Sequence, residues 1–165
     1  MASFIPLIDA KWHHHFDNLQ MSSNDFYSSL EEIIIQKELP KVKISRVTLA
    51  EAGLLSADRE YLRVQRYQYV FDICAAPFGK EFFISWWLGE NTNYFGRILS
   101  TIPLIDKLLG KSSKERTYYQ IDSLTMFKES IHAIILQLVD SIAEGKGLRR
   151  LSETDRQIIK EVLVK

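Results

Sequence analysis

Residues 69–88 carry the strongest structural signal in the chain, and they read YVFDICAAPFGKEFFISWWL. Two parts of this run, 69–74 and 82–88, are rich in the aromatic and β-branched side chains that favour strands. Pro77 and Gly79 lie between these parts and interrupt regular structure. The sequence therefore predicts two strands joined by a connection short enough for an antiparallel hairpin.

The residues before this hairpin also alternate between apolar and polar side chains. Alternation is visible at 42–44, 47–49 and 61–65, and its phase slips at 45–46, which predicts a β-bulge. No connection before residue 90 is long enough for a crossover helix. We expect an antiparallel β meander of about four strands over residues 41–90.

The flanking regions show helical rather than strand spacing. Residues 1–21 have no clear period and are predicted to be irregular. Ser22, Ser23 and Asn24 are candidate N-caps for a helix that ends before Pro40. We expect residues 94–164 to form the helical part of the molecule.

Two or three helices are predicted in that C-terminal part. A first segment covers 94–109, a long helix starts at Asp122 or Ser123, and a last helix opens at Ser152, which pairs with Asp155. The predicted fold class is α+β. An antiparallel sheet of about four strands packs against an N-terminal helix and two or three C-terminal helices in a single domain, 1–165.

Composition and charge restrict the class of protein. The chain has 165 residues, of which 46% are apolar, with 21 basic and 21 acidic side chains. A net charge of zero argues against nonspecific nucleic-acid binding as the main role, and no specific nucleic-acid partner is predicted. The lone cysteine, Cys74, excludes an internal disulfide and a cysteine-rich zinc site. Phosphate-cradling motifs are absent from the sequence, so we expect no cofactor and no enzymatic activity. The single cysteine fits a reducing compartment, and no signal peptide or membrane-spanning apolar run is visible, so we expect a cytoplasmic location.

Trp86 and Trp87 belong to the densest aromatic cluster of the sequence. Successive side chains of a strand face opposite ways, so the two indoles lie on opposite faces of the sheet. Because both faces are largely apolar, this strand is either covered on both sides or presents an exposed aromatic row to a partner.

Segment 94–109 is amphipathic and is the sharpest candidate for a contact surface. Such a helix packs on its own core, fills a partner's groove or lies on a membrane surface, and the sequence leaves all three open. Its apolar side chains, which we predict to be partner-binding if the helix is exposed, are Phe95, Ile98, Leu99, Ile102 and Ile105.

Several polar residues invite a chemical interpretation. His13, His14 and His15 are consecutive, so at most His13 and His15 converge on a strand, and we predict no metal site. His132 is expected to be a partly buried, hydrogen-bonded histidine rather than a base acting on Cys74.

Asp72 interrupts an apolar strand. We expect an ion pair across the sheet with Arg63 or Arg66.

Two motifs are similar to those of a family of uncharacterised bacterial proteins. The first is YVFDICAAPFG at 69–79 with FFISWWL at 82–88, and the second is TYYQID at 117–122 with MF at 126–127. The likeness extends over most of 41–145. Related chains carry membrane-prone sequence between the two motifs, whereas this chain has the milder segment 94–109, which argues against membrane insertion. The resemblance implies a bacterial source, and it implies no activity or catalytic residue.

The leading functional hypothesis is a non-enzymatic interaction or accessory domain. It would bind a protein partner, or form a homo-oligomer, through Trp86, Trp87 or segment 94–109. One alternative is a peripheral membrane protein that uses 94–109. Another is a small-molecule-binding domain with a pocket between sheet and helices, lined by Tyr118, Tyr119 and Trp87.

Overall fold

The computed structural model describes residues 7–49, 58–91 and 116–160. Within these ranges the chain forms six strands and two helices, and the predicted α+β class is confirmed. The elements are β1 (Leu7–Asp17), α1 (Ser23–Gln36), β2 (Val42–Leu49), β3 (Arg59–Arg66), β4 (Tyr69–Phe78), β5 (Glu81–Glu90), α2 (Tyr118–Gly145) and β6 (Ile159–Lys160).

All described strands belong to one sheet with the order β2-β3-β4-β5-β1-β6, and every neighbouring pair is antiparallel. β2 to β5 are adjacent in chain order, as a meander requires. Two tight turns set its register: Gly79 and Lys80 join β4 to β5, and Tyr67 and Gln68 join β3 to β4. Gly79 has a φ of +64°, a left-handed backbone that glycine adopts without steric cost.

The bulge predicted at residues 45–46 is wrong, because β2 pairs with β3 continuously from Val42 to Leu49. The apparent slip in phase comes from Arg46, which faces the helices from a position where an apolar side chain was expected. Its guanidinium lies 4.8 Å from the ring of Tyr27 and donates to Glu31 Oε1 at 2.7 Å. A guanidinium that stacks on an aromatic ring and pairs with a carboxylate can occupy a strand position that faces the helices.

The prediction of an irregular segment at 1–21 is wrong for residues 7–17, which form β1 between β5 and β6. Ala10, Trp12 and Phe16 are buried on the face that carries the core. Two features hid the alternation of apolar and polar side chains along β1. His14 is the polar member of the row formed with Ala10, Trp12 and Phe16, and a bulge between Ile8 and Ala10 shifts the alternation by one residue.

Helix α1 starts and ends as predicted, with the Ser22 hydroxyl accepting from the amide of Asp25 at 3.1 Å.

Helix α2 starts earlier than the predicted Asp122 or Ser123. Thr117 is its N-cap, and Thr117 and Gln120 form a reciprocal capping box. The first turn of α2 was missed because its side chains are exposed and do not extend the apolar stripe.

A last helix after Ser152 is not formed in residues 151–160. Ser152 and Asp155 do pair, with Asp155 Oδ2 accepting from the serine amide at 2.9 Å, but they close a turn that leads into β6. The turn is held by Trp12, whose Nε1–H donates to the carbonyl of Asp155 at 2.6 Å. These tertiary bonds outweigh the local helical pattern. Of the predicted C-terminal helices, the described chain contains one.

The hydrophobic core lies between one face of the sheet and the two helices. Its largest fully buried side chains are Trp12, Trp86, Tyr27, Phe26, Phe71 and Phe82. Neither α1 nor α2 is long and apolar enough to cross a membrane.

The opposite face of the sheet contains a buried ion pair. Arg63 lies directly across from Asp72 and donates to both carboxylate oxygens, at 2.6 and 2.7 Å. The predicted cross-strand pair is confirmed, with Arg63 rather than Arg66 as the partner. Val70 and Cys74 flank Asp72 on this face and are also buried.

Candidate functional site

Trp86 is a core residue and cannot be part of an exposed contact surface, so this partner-binding prediction is wrong. Its side chain is fully buried against Phe71, with ring centroids 5.0 Å apart. Its Nε1–H donates to Nδ1 of His132 at 3.2 Å, and His132 Nε2 lies 2.8 Å from the carbonyl oxygen of Arg156. A neutral imidazole protonated on Nε2 satisfies both bonds.

His132 and Cys74 lie on opposite sides of the sheet and cannot act together. Cys74 is on the face away from the helices, and burial raises the pKa of its thiol. Burial lowers the pKa of His132, so the imidazole is held in its neutral form. Both ring nitrogens are occupied, as expected for a structural histidine.

Trp87 is partly exposed on the face away from the helices, where the ammonium of Lys11 lies 5.1 Å from its ring. Its role in partner binding stays a prediction. The other predicted partner-binding residues, Phe95, Ile98, Leu99, Ile102 and Ile105, lie outside the described residues.

Tyr118 and Tyr119 do not line a ligand pocket with Trp87. Both side chains are exposed, at 89% and 77%, on the first turn of α2. Trp87 is on the opposite side of the sheet from this helix. The predicted pocket between sheet and helices is therefore wrong, and the two tyrosines present apolar area to solvent instead.

The three histidines of β1 lie in a groove of about 440 Å³ beside the turn at Asp155. His13 and His15 share one face, as predicted, while His14 Nδ1 is 3.8 Å from Asp155 Oδ1 on the other. Burial lowers the pKa of His14, and hydrogen bonds from Ser152 lower that of Asp155. Among residues 7–49, 58–91 and 116–160, no group of three or more ligating side chains could hold a metal ion.

The most exposed apolar side chains of the described chain include three on one side of α2: Tyr118, Tyr119 and Met126. Met126 is 66% exposed and lies two helical turns after Tyr119, so the two side chains project in the same direction. The buried stripe of α2, which includes Phe127 and Ile131, faces the sheet. We call Tyr118, Tyr119 and Met126 the exposed α2 face.

A shallow apolar groove of about 60 Å³ continues this face toward the sheet. Leu39, Pro40 and Met126 contribute to its walls, together with Arg66 at the end of β3. The Arg66 guanidinium donates to the carbonyl oxygens of Pro40 and Ser123, each at 3.2 Å. One arginine thus holds the α1–β2 connection, the β3 terminus and α2 together.

A second groove of about 250 Å³ lies at the same end of the sheet, and its residues Lys43 and Gln65 are on the face away from the helices. It is lined by Lys41, Val42, Lys43, Gln65 and Tyr67. Tyr67 is joined to the first groove by Arg66, whose guanidinium lies 5.4 Å from the tyrosine ring. We call Lys41, Lys43, Gln65, Arg66 and Tyr67 the basic corner.

The backbone of the basic corner is strained. Lys41 and Tyr67 have φ angles of +61° and +54°, in the left-handed region that disfavours residues with a side chain. Glu38, which lies between the end of α1 and Lys41 in the chain, has a φ of +48°. Such conformations persist only where surrounding structure fixes them, and they are frequent at functional sites.

Met126 and Tyr67 were not predicted as site residues, although each has a signal in the sequence. Met126 falls off the apolar stripe that Leu124 and Phe127 define. Tyr67 is a bulky aromatic residue between two strand patterns, a position where turns usually carry a small residue.

No protein family, curated protein or solved structure matches this chain. The likeness to bacterial proteins at 69–88 and 117–127 therefore stays a prediction.

Proposed function

We propose that this chain is a non-enzymatic protein-interaction domain that binds its partner through the exposed α2 face. The observation that carries the proposal is the exposure of Tyr118, Tyr119 and Met126, at 89%, 77% and 66%, on one side of a single helix. Clustered apolar side chains in water mark contact sites, because covering them stabilises a complex by about 25 cal/mol per Å² of apolar area. Tyrosine is also enriched among residues that dominate binding energy.

The backbone that carries this face is held in place before any partner binds. Thr117 and Gln120 cap the first turn of α2 in both directions, with bonds of 2.9 and 3.3 Å. Arg66 ties the next turn to the sheet through the carbonyl of Ser123. A fixed backbone loses less conformational entropy on association, which favours binding.

The test is site-specific photo-cross-linking in cells that make the protein naturally. A benzophenone amino acid replaces Tyr119 in one variant and Phe78 in a matched control. Phe78 is 70% exposed but lies beside the β4–β5 turn, away from α2. We expect a discrete adduct from position 119 and none from position 78.

The mass of the adduct identifies a second copy of the chain or a different protein. Equal yields at positions 119 and 78, or no adduct at position 119, would refute the proposal.

The two alternative functions have less support. A peripheral membrane role rests on segment 94–109, which lies outside the described residues. A small-molecule role required Tyr118, Tyr119 and Trp87 around one cavity, and these residues are separated by the sheet.

A further inference from the structure

We propose that two copies of this chain pair through the outer side of residues 13–17 in β1. The two β1 strands would lie antiparallel about a two-fold axis, so that both sheets join into one continuous sheet. This surface contains none of the residues of the exposed α2 face, and the inference therefore goes beyond the proposed function.

The outer side of β1 has no strand neighbour over residues 13–17 within the described part of the chain. β6 pairs only with Ala10 and Lys11, whereas β1 stays paired with β5 as far as Asp17. The chain just before β6 lies over the core face, because the carbonyls of residues 155 and 156 bond to the side chains of Trp12 and His132. Residues 13–17 therefore form an open sheet edge.

The alternation of ladder bonds shows which backbone groups point outward from this edge. The Asn18 amide donates to the carbonyl of Lys80 at 3.0 Å and continues the β1–β5 ladder. In an antiparallel ladder every second residue bonds to a given neighbour, so the even-numbered residues of β1 bond to β5. The N–H and C=O groups of His13, His15 and Asp17 consequently point away from β5 and can bond to another strand.

This edge lacks the features by which proteins usually prevent strand pairing. Residues 13–17 contain no lysine, arginine or proline, and their pairing with β5 has no bulge. The opposite edge of the sheet, β2, carries Lys43 and Arg46, and such charges oppose edge-to-edge association. The groove of about 440 Å³ beside β1 leaves room for a further strand, which needs a spacing of about 4.8 Å.

The side chains of the edge are complementary to those of a second copy. The antiparallel register that pairs every outward-facing residue places His15 opposite its own copy and His13 opposite the partner subunit's Asp17. All three side chains are exposed and share one face. An imidazole N–H donates to a carboxylate in either charge state of the histidine. Neutral imidazoles at the two-fold axis also avoid the repulsion that like charges in that position would cause.

This complementarity favours a second copy over an unrelated extended peptide. Any extended backbone could bond to the outward N–H and C=O groups, since these groups carry no sequence information. The match between His13 and Asp17 arises only when the same sequence runs antiparallel to itself. Each of the matched pairs also exchanges two backbone hydrogen bonds, which fixes the register of the two strands.

The test is sedimentation velocity of the whole chain at pH 7.5 over a hundredfold range of protein concentration. We expect a reversible change from the chain mass of 19.2 kDa to twice that mass. The variant His15→Pro removes the outward N–H at the centre of the interface and should weaken dimerisation at least tenfold. Because this N–H does not bond to β5, the single chain should tolerate the proline, as edge strands do.

The matched control is Thr48→Pro at the opposite edge of the sheet. Counting rungs from the bond between the Asn91 N–H and the Gln68 carbonyl, 2.7 Å long, places the N–H of Thr48 on the outer side of β2. Thr48 is exposed, as His15 is. This variant should dimerise as the wild type does, and near-UV circular dichroism should show that both proline variants are folded.

A charge series tests the register independently of proline. The variant His13→Asp sets two carboxylates opposite each other and should weaken the dimer at least tenfold. The double variant His13→Asp, Asp17→His restores the match with the two residue types exchanged and should recover the wild-type association. If His15→Pro does not fold, this series decides the question alone.

Three results would overturn the inference: a wild type that is monomeric at every concentration, a dimer that survives both His15→Pro and His13→Asp, or no recovery in the double variant. The proposed function fails separately, since it depends on the adduct at position 119. A monomeric wild type that still gives this adduct would leave the proposed function intact.

Discussion

Replacing His132 by leucine should destabilise the protein strongly at neutral pH. The imidazole bonds to Trp86 Nε1 at 3.2 Å and to the carbonyl of Arg156 at 2.8 Å, and it is 5% exposed. Leucine fills a similar volume but leaves this buried donor and acceptor without partners. Each unsatisfied group costs about 1–3 kcal/mol, so we expect a loss of about 2–5 kcal/mol in the free energy of unfolding.

The same substitution should make stability less sensitive to acid. Burial lowers the pKa of His132 below 6.5. The hydrogen bond to the Arg156 carbonyl and the carboxylate of Glu129 oppose this shift, while the charges of Lys128 and Arg156 act in the same direction as burial. Below pH 6.5 the unfolded chain therefore binds a proton that the folded chain does not. The free energy of unfolding that the neutral His132 contributes is fully present above pH 6.5. It is lost as the pH falls toward the folded-state pKa, at up to about 1.4 kcal/mol per pH unit.

Urea unfolding, followed by tryptophan fluorescence between about pH 7.5 and 5, measures both effects. Wild type should lose stability across this range from His132 and from His14, whose pKa is also lowered by burial. The His132→Leu variant should show a smaller slope, and the exposed control His15→Gln should change stability at pH 7.5 by less than about 0.5 kcal/mol. A cost below about 1 kcal/mol, or an unchanged pH slope in His132→Leu, would refute the reasoning.

Three other substitutions test the remaining buried and strained contacts by the same unfolding assay. Asp72→Ala leaves the partly buried guanidinium of Arg63 without its carboxylate and should cost about 3–5 kcal/mol; a neutral effect would exclude a stabilising pair. Tyr27→Phe removes the hydroxyl that accepts from the amide of Ala75 at 2.9 Å, and a cost of about 1–3 kcal/mol is expected. Lys41→Gly relieves a φ of +61° and should stabilise the protein by about 0.5–1 kcal/mol; destabilisation would show that the backbone is not strained.

Local patterns were sufficient for the elements that pair with chain neighbours. The β3–β4–β5 meander follows from alternation and from two-residue turns, and the Arg63–Asp72 pair follows from an acid placed inside an apolar strand. In contrast, β1 pairs with β5 across more than sixty residues of chain, and nothing local distinguishes its histidine-rich alternation from an irregular segment. Long-range pairing depends on burial that becomes available only when the sheet assembles.

The candidate site, like the fold, could be predicted only in part from local sequence patterns. The sequence by itself determined an α+β protein with no net charge, one cysteine and an amphipathic long helix, because these properties depend on composition and local period. Only the tertiary structure decided that Trp86 is a core residue bonded to His132, and that Tyr119 and Met126 are left exposed on one side of α2. The physical reason is that exposure belongs to the assembled chain: a side chain is buried or left in water according to which distant elements pack against it.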